Sequence, residues 1–240
     1  MQILVISDIH SNLTALDTVL KSAGSYDTVW CLGDLVGYGP DPNEVIERVR
    51  NLPNLVCVRG NHDAATIGEV DQQTFNHEAG LAISWTKRIL KAESKEYLLS
   101  LPEKLVIGEV TLVHGSPRNP VWDYVMDMVT AIQMFPYFDT RLCMLGHTHV
   151  PALWKEEESD PTLRPVLDYR KQNIHCRAIL NPGSVGQPRD HDSRASFALF
   201  NPDDSTWELR RINYDIEAVQ KRIKRSGLPW RHALRLNEGW

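Results

Sequence analysis

Cysteine is scarce in this chain: four among 240 residues, Cys31, Cys57, Cys143 and Cys176, far apart and never in a CxxC pair. Three sit in apolar runs, VWCLG, LVCVRG and RLCMLG, so buried reduced thiols are expected rather than a disulfide framework or a zinc–thiolate site. Excess positive charge is also missing: 26 Lys and Arg face 31 Asp and Glu, for a net charge of −5 and a pI near 6.0. Without a visible basic stripe, a nucleic-acid partner is not expected, and an exonuclease is disfavoured. The opening MQILVISDIHS has no basic lead-in. Its apolar run of about seven residues is too short for a signal sequence or a membrane span, so a cytoplasmic protein with no membrane partner is expected. The GxSxG elbow of serine hydrolases is absent, as are internal repeats and low-complexity tracts.

What is present suffices for one substantial core, with 42% hydrophobic residues, and a single domain over residues 1–240 is expected. A homo-oligomer is left open. Runs rich in Val, Ile and Leu read as buried strands: Gln2 to Ser7, Thr28 to Leu32, Asn54 to Val58, Leu105 to Val113 and Leu142 to Leu145. Helical spacing lies between them at Leu13 to Ala23, Pro42 to Arg50 and Phe75 to Leu90, where Leu81, Trp85, Ile89 and Leu90 are expected to share the packed face. The alternation predicts an α/β fold. Ala178 to Leu180, Ser196 to Phe200 and Thr206 to Ile212 read as meandering antiparallel strands, and Asp215 to Ser226 as a final helix stopped by Gly227 and Pro229. KEEESDPT, Lys155 to Thr162, reads as a solvated loop or hairpin tip.

Asp8, Asp34, Asn61, His114 and His147 each follow an apolar run directly, and four of the five adjoin a glycine. Ligands of open α/β sheets bind beyond the carboxyl ends of the strands, so these residues are placed to converge. With His10 in SDIH and His149 in LGHTH they offer carboxylate, amide and imidazole without thiolate. That mixture suits Mn, Fe, Zn, Co or Ni, with Mg less well matched to four imidazoles. Seven ligands exceed what one ion takes from protein, which points to two divalent metals sharing a carboxylate. A lone histidine or aspartate after a strand is usually structural, yet five of the nine histidines fall in these blocks.

The blocks D-x-H, GD, GNH, an isolated His and GHxH occur in that order between Asp8 and His149. In this the chain resembles the calcineurin-like metallophosphoesterases. HSN at His10 to Asn12, GDLVGYGP at Gly33 to Pro40 and NPGSVGQPRD at Asn181 to Asp190 resemble a bacterial and archaeal phosphodiesterase branch more closely. The resemblance implies a four-layer α/β/β/α sandwich of two mixed sheets flanked by helices. It implies Asp8, His10 and His149 on one metal, Asn61, His114 and His147 on the other, and Asp34 bridging. His62 would be the catalytic acid, a role contributing typically 10²–10⁴-fold, with Asp63 orienting it. Two metals about 3.5–4 Å apart would supply a hydroxide for in-line attack on phosphorus. His77 is a further candidate, for a third metal or for substrate.

Substrate contacts are less sharply marked. Protein phosphatases of the superfamily and symmetrical dinucleoside polyphosphatases carry GDxVxRGP, whereas Tyr38 stands here in place of that Arg. Losing a bidentate clamp for a dianion while keeping a hydroxyl and an aromatic face favours a diester over a monoester; simple packing is the other reading of Tyr38. Arg189 is a candidate phosphate contact, or else an ion-pair partner of Asp190; Asn12 and Arg59 are weighed alike. Trp122 and Tyr124, in SPRNPVWDYVMD, lie on either a base-stacking lid or a docked loop. The expected activity is hydrolysis of phosphodiester or phosphoanhydride bonds in a small phosphorylated substrate, such as a dinucleoside polyphosphate or cyclic nucleotide. The rivals are a phosphomonoesterase or protein phosphatase and a non-catalytic scaffold.

Overall fold

The structure is a computed structural model that describes residues 1–156 and 169–240. The first half alternates β1 (Ile3–Ile6), α1 (Leu13–Ser22), β2 (Thr28–Cys31), α2 (Pro42–Arg50) and β3 (Val56–Cys57), followed by α3 (Asn61–Ile67), α4 (His77–Ile89) and α5 (Ala92–Ser100). Then come β4 (Lys104–Ile107), β5 (Val110–Val113), α6 (Met128–Met134), β6 (Leu142–Met144), β7 (Ala152–Lys155), β8 (Gln172–Asn173) and β9 (Ala178–Asn181). The chain closes with β10 (Ala195–Asn201), β11 (Thr206–Ile212), α7 (Ile216–Arg225) and α8 (Trp230–Glu238).

Two mixed sheets form, in the orders β3-β2-β1-β10-β11-β8 and β4-β5-β6-β9-β7. Alternation along the strands explains the layering, because neighbouring side chains leave opposite faces. Ile3 and Val5 of β1 point to a core shared with Leu112, Leu142, Met144 and Leu180 of the second sheet. Leu4 and Ile6 point outward and meet Leu16 and Val19 of α1 and Val45 and Ile46 of α2. On the outer face of the second sheet, Val113, Cys143 and Ile179 pack against Ala131 and Met134 of α6. The result is the expected α/β/β/α sandwich. Strands buried on both faces must be apolar throughout, which is why ILVI reads as an unbroken run.

Several expectations change. Leu105 to Val113 is a hairpin, not one strand: Ile107 pairs with Val110 across Gly108, whose φ of 54° supplies the left-handed turn. The strand β9 runs parallel to β6 in the second sheet, outside the β10–β11 meander. On α4 the buried residues are Ala79, Ala82, Ile83 and Thr86, while Leu81 and Ile89 are 47% and 40% exposed. The small face wins because α7 and α8 pack closely on Ala82 through Val219, Ile223, Ala233 and Leu236. The stop at Gly227 and Pro229 is followed at once by α8, with Pro229 as its N-cap. Cys31, Cys57 and Cys143 are buried thiols, and Cys176 is half-buried. Lys155 ends β7 and Glu156 begins a turn; the rest of KEEESDPT lies outside the described residues. Among those described, no helix is long and apolar enough to cross a membrane.

Candidate metal centre

The loops leaving β1, β2 and β3 of one sheet and β5 and β6 of the other open at the same end of the sandwich. Asp8 N donates to Gly33 O at 3.1 Å, His10 N to Asp34 O at 3.0 Å and Gly146 N to His114 O at 2.9 Å, so the strand ends are laced together. To turn their side chains back over the sheet edges, Asp8, His10, Asp34, His147 and His149 all adopt positive φ, between 47° and 65°. Each such residue costs on the order of 1–3 kcal/mol, and strain of this kind concentrates where geometry is imposed for function. The glycine of RGNH has a steric reason, since a β-carbon at Gly60 would collide with the Asp34 carboxylate.

Two groups result. Asp8, His10, Asp34 and His149 have donor atoms within 4.8 Å of one another, as do Asp34, His114 and His147, and Asp34 belongs to both. Its Oδ2 lies 3.5 Å from His10 Nε2 and 3.4 Å from His114 Nε2. Asn61 joins the second group through Oδ1, 3.1 Å from His114 Nε2. All seven expected ligands are buried.

The donor chemistry fits cations. His10 Nδ1 donates to Val36 O at 3.0 Å and His149 Nδ1 donates to Gln187 O at 2.5 Å, so both neutral rings present an Nε2 lone pair. Those two lone pairs face each other at 3.0 Å. His114 Nδ1 is likewise committed to Leu32 O at 2.8 Å, while Asp34 Oδ2 accepts no hydrogen bond. Acceptors turned on acceptors in a water-poor interior repel unless a cation lies among them.

The charges agree. Burial pushes His10 down to about 3, and holds His62, His147 and His149 well below the usual imidazole value. Burial, with Asp34 nearby, pushes Asp8 up to about 7. Asp34 is held well below the carboxylate range, because His114, His62 and His10 outweigh its burial. His114 rises to about 9, the pull of Asp34 and Asp8 outweighing its burial. Removing water leaves each group dependent on its neighbours' charge.

Around this centre the other candidates fall unevenly. His62, at the start of α3, donates its backbone N–H to Asp34 Oδ1 at 2.9 Å, and its Nδ1 has no partner. Asp63 does not hydrogen-bond the His62 ring. Its carboxylate accepts from Gly60 N at 3.0 Å and Val36 N at 3.1 Å, so it positions His62 only by fixing the start of α3. Tyr38 is buried, with its ring 4.7 Å from His10 and 4.5 Å from His62. Arg189 lies over Tyr38 at 5.6 Å, and the ion pair foreseen for it goes elsewhere, since Asp190 pairs with Arg211.

Asn12 is engaged within the framework: its Oδ1 caps α1 through Ala15 N at 3.1 Å and its Nδ2 donates to Gly186 O at 3.0 Å. Arg59 is turned to Glu69 and Glu103. His77 is exposed at the start of α4 and belongs to neither ligand group. Residues outside the sequence-based set also matter. Asn181 Nδ2 ties Gly146 O at 2.9 Å and Ser184 Oγ ties Asp8 O at 2.8 Å, so the NPGS stretch holds the ligand loops. A cavity of about 540 Å³ opens on His62 and Asn61, with Phe75, Trp122 and Tyr124 on its walls.

Residues 1–205 match the model of the calcineurin-like phosphoesterase superfamily domain. The chain belongs to that superfamily. A metallophosphoesterase from Sphaerobacter thermophilus superposes with a TM-score of 0.92 at 45% identity, covering 100% of this chain and 99% of that one. An uncharacterized protein of Methanocaldococcus jannaschii is 39% identical over 236 residues, 95% of this chain and 93% of its own. A phosphodiesterase of Escherichia coli (strain K12) is 24% identical over 214 residues, 85% and 89% of the two chains. In this calcineurin-like chain the paired clusters at the strand ends are buried His/Asp groups able to bind metals, as suits a metal-dependent family, and the two mixed sheets match those of its structural neighbours.

Proposed function

We propose that this protein hydrolyses phosphodiester or phosphoanhydride bonds of a small nucleotide-like substrate, with two divalent ions held by Asp8, His10 and His149 and by Asn61, His114 and His147, and with Asp34 shared. The observation that carries the reading is Asp34, whose Oδ2 accepts no hydrogen bond and which belongs to both ligand groups, beside a cavity lined by Asn61 and His62. When bound, two such ions neutralise phosphoryl charge and lower the pKa of a water.

The chain's own residues supply the rest. His62, fixed by the first turn of α3 and wedged between Tyr38 and Phe75 at 4.5 and 4.9 Å, is the general acid that protonates the departing oxygen. Burial keeps its free ring neutral; an anionic substrate beside it favours the protonated form. Asp63 keeps the start of α3 in place. Tyr38 presents a plate where a guanidinium would clamp a dianion, which favours a singly charged phosphoryl group. The 24%-identical relative named a phosphodiesterase is in line with this preference.

The test is metal-free protein reconstituted separately with Mn, Fe, Co, Zn, Ni or Mg, assayed on an aryl phosphodiester, an aryl phosphomonoester and a dinucleoside polyphosphate, with His62→Ala as control. Metal-dependent turnover favouring the diester or dinucleotide, and lost in the variant, supports the reading. Monoester preference overturns the role given to Tyr38. Two ions bound with no turnover would point to a scaffold.

A further inference from the structure

Arg235 stands on α8, beyond the residues matched by the superfamily model, yet its side chain lines the same cavity as His62 and Arg189. The Nε atoms of Arg189 and Arg235 are both buried without a hydrogen-bond partner. Arg189 Nη2 donates to a neutral acceptor, Gln187 Oε1, at 3.0 Å, and its guanidinium lies over the Tyr38 ring at 5.6 Å. Glu78, whose charge acts on Arg235, lies 3.8 Å from Arg231. Both arginines line this one cavity, and burial, then the charge of Arg189, hold Arg235 below its usual basicity.

Two half-buried guanidiniums whose Nε atoms have no hydrogen-bond partner are costly, and planar forks suit phosphate oxygens. Arg189 and Arg235 line the cavity together with His62 and the proposed ligand Asn61, so positive charge stands beside the ligand groups. Aromatic side chains line the same cavity. Trp122 meets Phe75 edge-on at 5.0 Å, and the half-exposed ring of Tyr124 stacks on His147 at 3.8 Å. The segment bearing Arg189 is bound to the end of α8: His191 N donates to Gly239 O at 2.8 Å, and the His191 ring stacks on Trp240 at 5.1 Å.

We infer that Arg189 and Arg235 form a second phosphate subsite, so that the substrate is a nucleoside polyphosphate with one phosphate at the ligand groups, the next between the two guanidiniums and a base against Trp122. The inference rests on the hydrolase reading above and narrows its substrate class. Cleavage adds water across the P–O–P linkage. The water oxygen becomes bonded to the phosphorus at the centre, and the bridging oxygen leaves on the phosphate held by Arg235, protonated by His62.

The test compares the metal-loaded enzyme with Arg235→Ala and Arg235→Gln on diadenosine tetraphosphate and on bis(p-nitrophenyl) phosphate. Calorimetric titration of inorganic tripolyphosphate into the metal-free proteins gives a second readout. A charge-assisted contact of this kind corresponds to roughly 10–100-fold in affinity. Both variants are expected to lose at least about tenfold more kcat/KM on the dinucleotide than on the aryl diester, and tripolyphosphate affinity is expected to fall in parallel. Equal losses on the two substrates, or unchanged tripolyphosphate binding, would overturn the subsite. Absence of turnover by the unaltered enzyme on either substrate would instead sink the hydrolase reading, while the titration still decides the subsite.

Discussion

Replacing Asn12 by Ala separates a framework role from a substrate role. Asn12 is 1% exposed, and both ends of its amide are used, on Ala15 N and on Gly186 O. Loss of the N-cap costs about 1 kcal/mol, and leaving the Gly186 carbonyl buried without its donor adds roughly 1–3 kcal/mol. The total is roughly 2–4 kcal/mol, which for a chain of this length lowers Tm by roughly 5–15 °C. The next residue, Gln187, holds His149 Nδ1 through its carbonyl, so metal affinity should weaken too. Thermal and urea unfolding of the metal-free protein measure the first effect; KM under saturating metal, at a temperature where the variant stays folded, measures the second. The expected result is a large stability loss with KM changed less than about threefold. Unchanged stability with KM raised tenfold or more would refute the reasoning and return Asn12 to the substrate.

Three further outcomes follow from the same geometry. Asp34→Asn should reduce the metal content from two ions toward one and lower kcat by roughly 10²–10³-fold, as a lost preorganised electrostatic contact does; two ions retained by mass spectrometry would count against the shared carboxylate. The stability of the metal-free protein should rise with pH through the acid range up to about 6.5, because His10, His62, His147 and His149 have depressed folded values and the unfolded chain takes up protons there. Asp8 and Asp63, raised to about 7, oppose that rise. Above pH 6.5 stability should fall, as His114, raised to about 9, gives up its proton; urea midpoints across pH 5 to 9 that climb steadily would contradict this. Tyr38→Phe should keep aryl-diester turnover within about fivefold if the ring acts by packing, and a hundredfold loss would show that the hydroxyl is needed.

Five of the seven candidate ligands were legible because each follows an apolar run directly, and the two-sheet architecture brings carboxyl ends from both sheets to one edge. Asn61 and His62 were visible as a motif, but the helix they begin was not. NHDAATI has no apolar periodicity of its own, and its start is fixed by Asp63 on Gly60 N. Leu81, Trp85, Ile89 and Leu90 do not share one buried face: α7 and α8 pack on Ala82, with Trp85 partly buried against them and Leu81 and Ile89 exposed. Arg235 could not have been tied to the cavity from sequence, since its position depends on how α8 docks on α7 and on the His191 loop. Local patterns report what a residue is next to in the chain; long-range packing decides which polar atoms remain without a partner.

Those unsatisfied atoms explain why the site forms as it does. Five of the proposed ligands carry a strained backbone, and the Nε2 lone pairs of His10 and His149 face each other rather than a donor. Nothing in the protein alone rewards such an arrangement, so the surrounding framework must overdetermine it. That framework is visible: Val36, Leu32 and Gln187 carbonyls orient three imidazoles, Asn181 and Ser184 bind the loops, and apolar strands buried on both faces anchor the ends from which the loops leave. Cations then gain affinity because little ordering is left to be done when they enter. The same reasoning extends outward to Arg189 and Arg235. Their buried, unpartnered nitrogens stand to a phosphate anion as the facing lone pairs stand to metal cations.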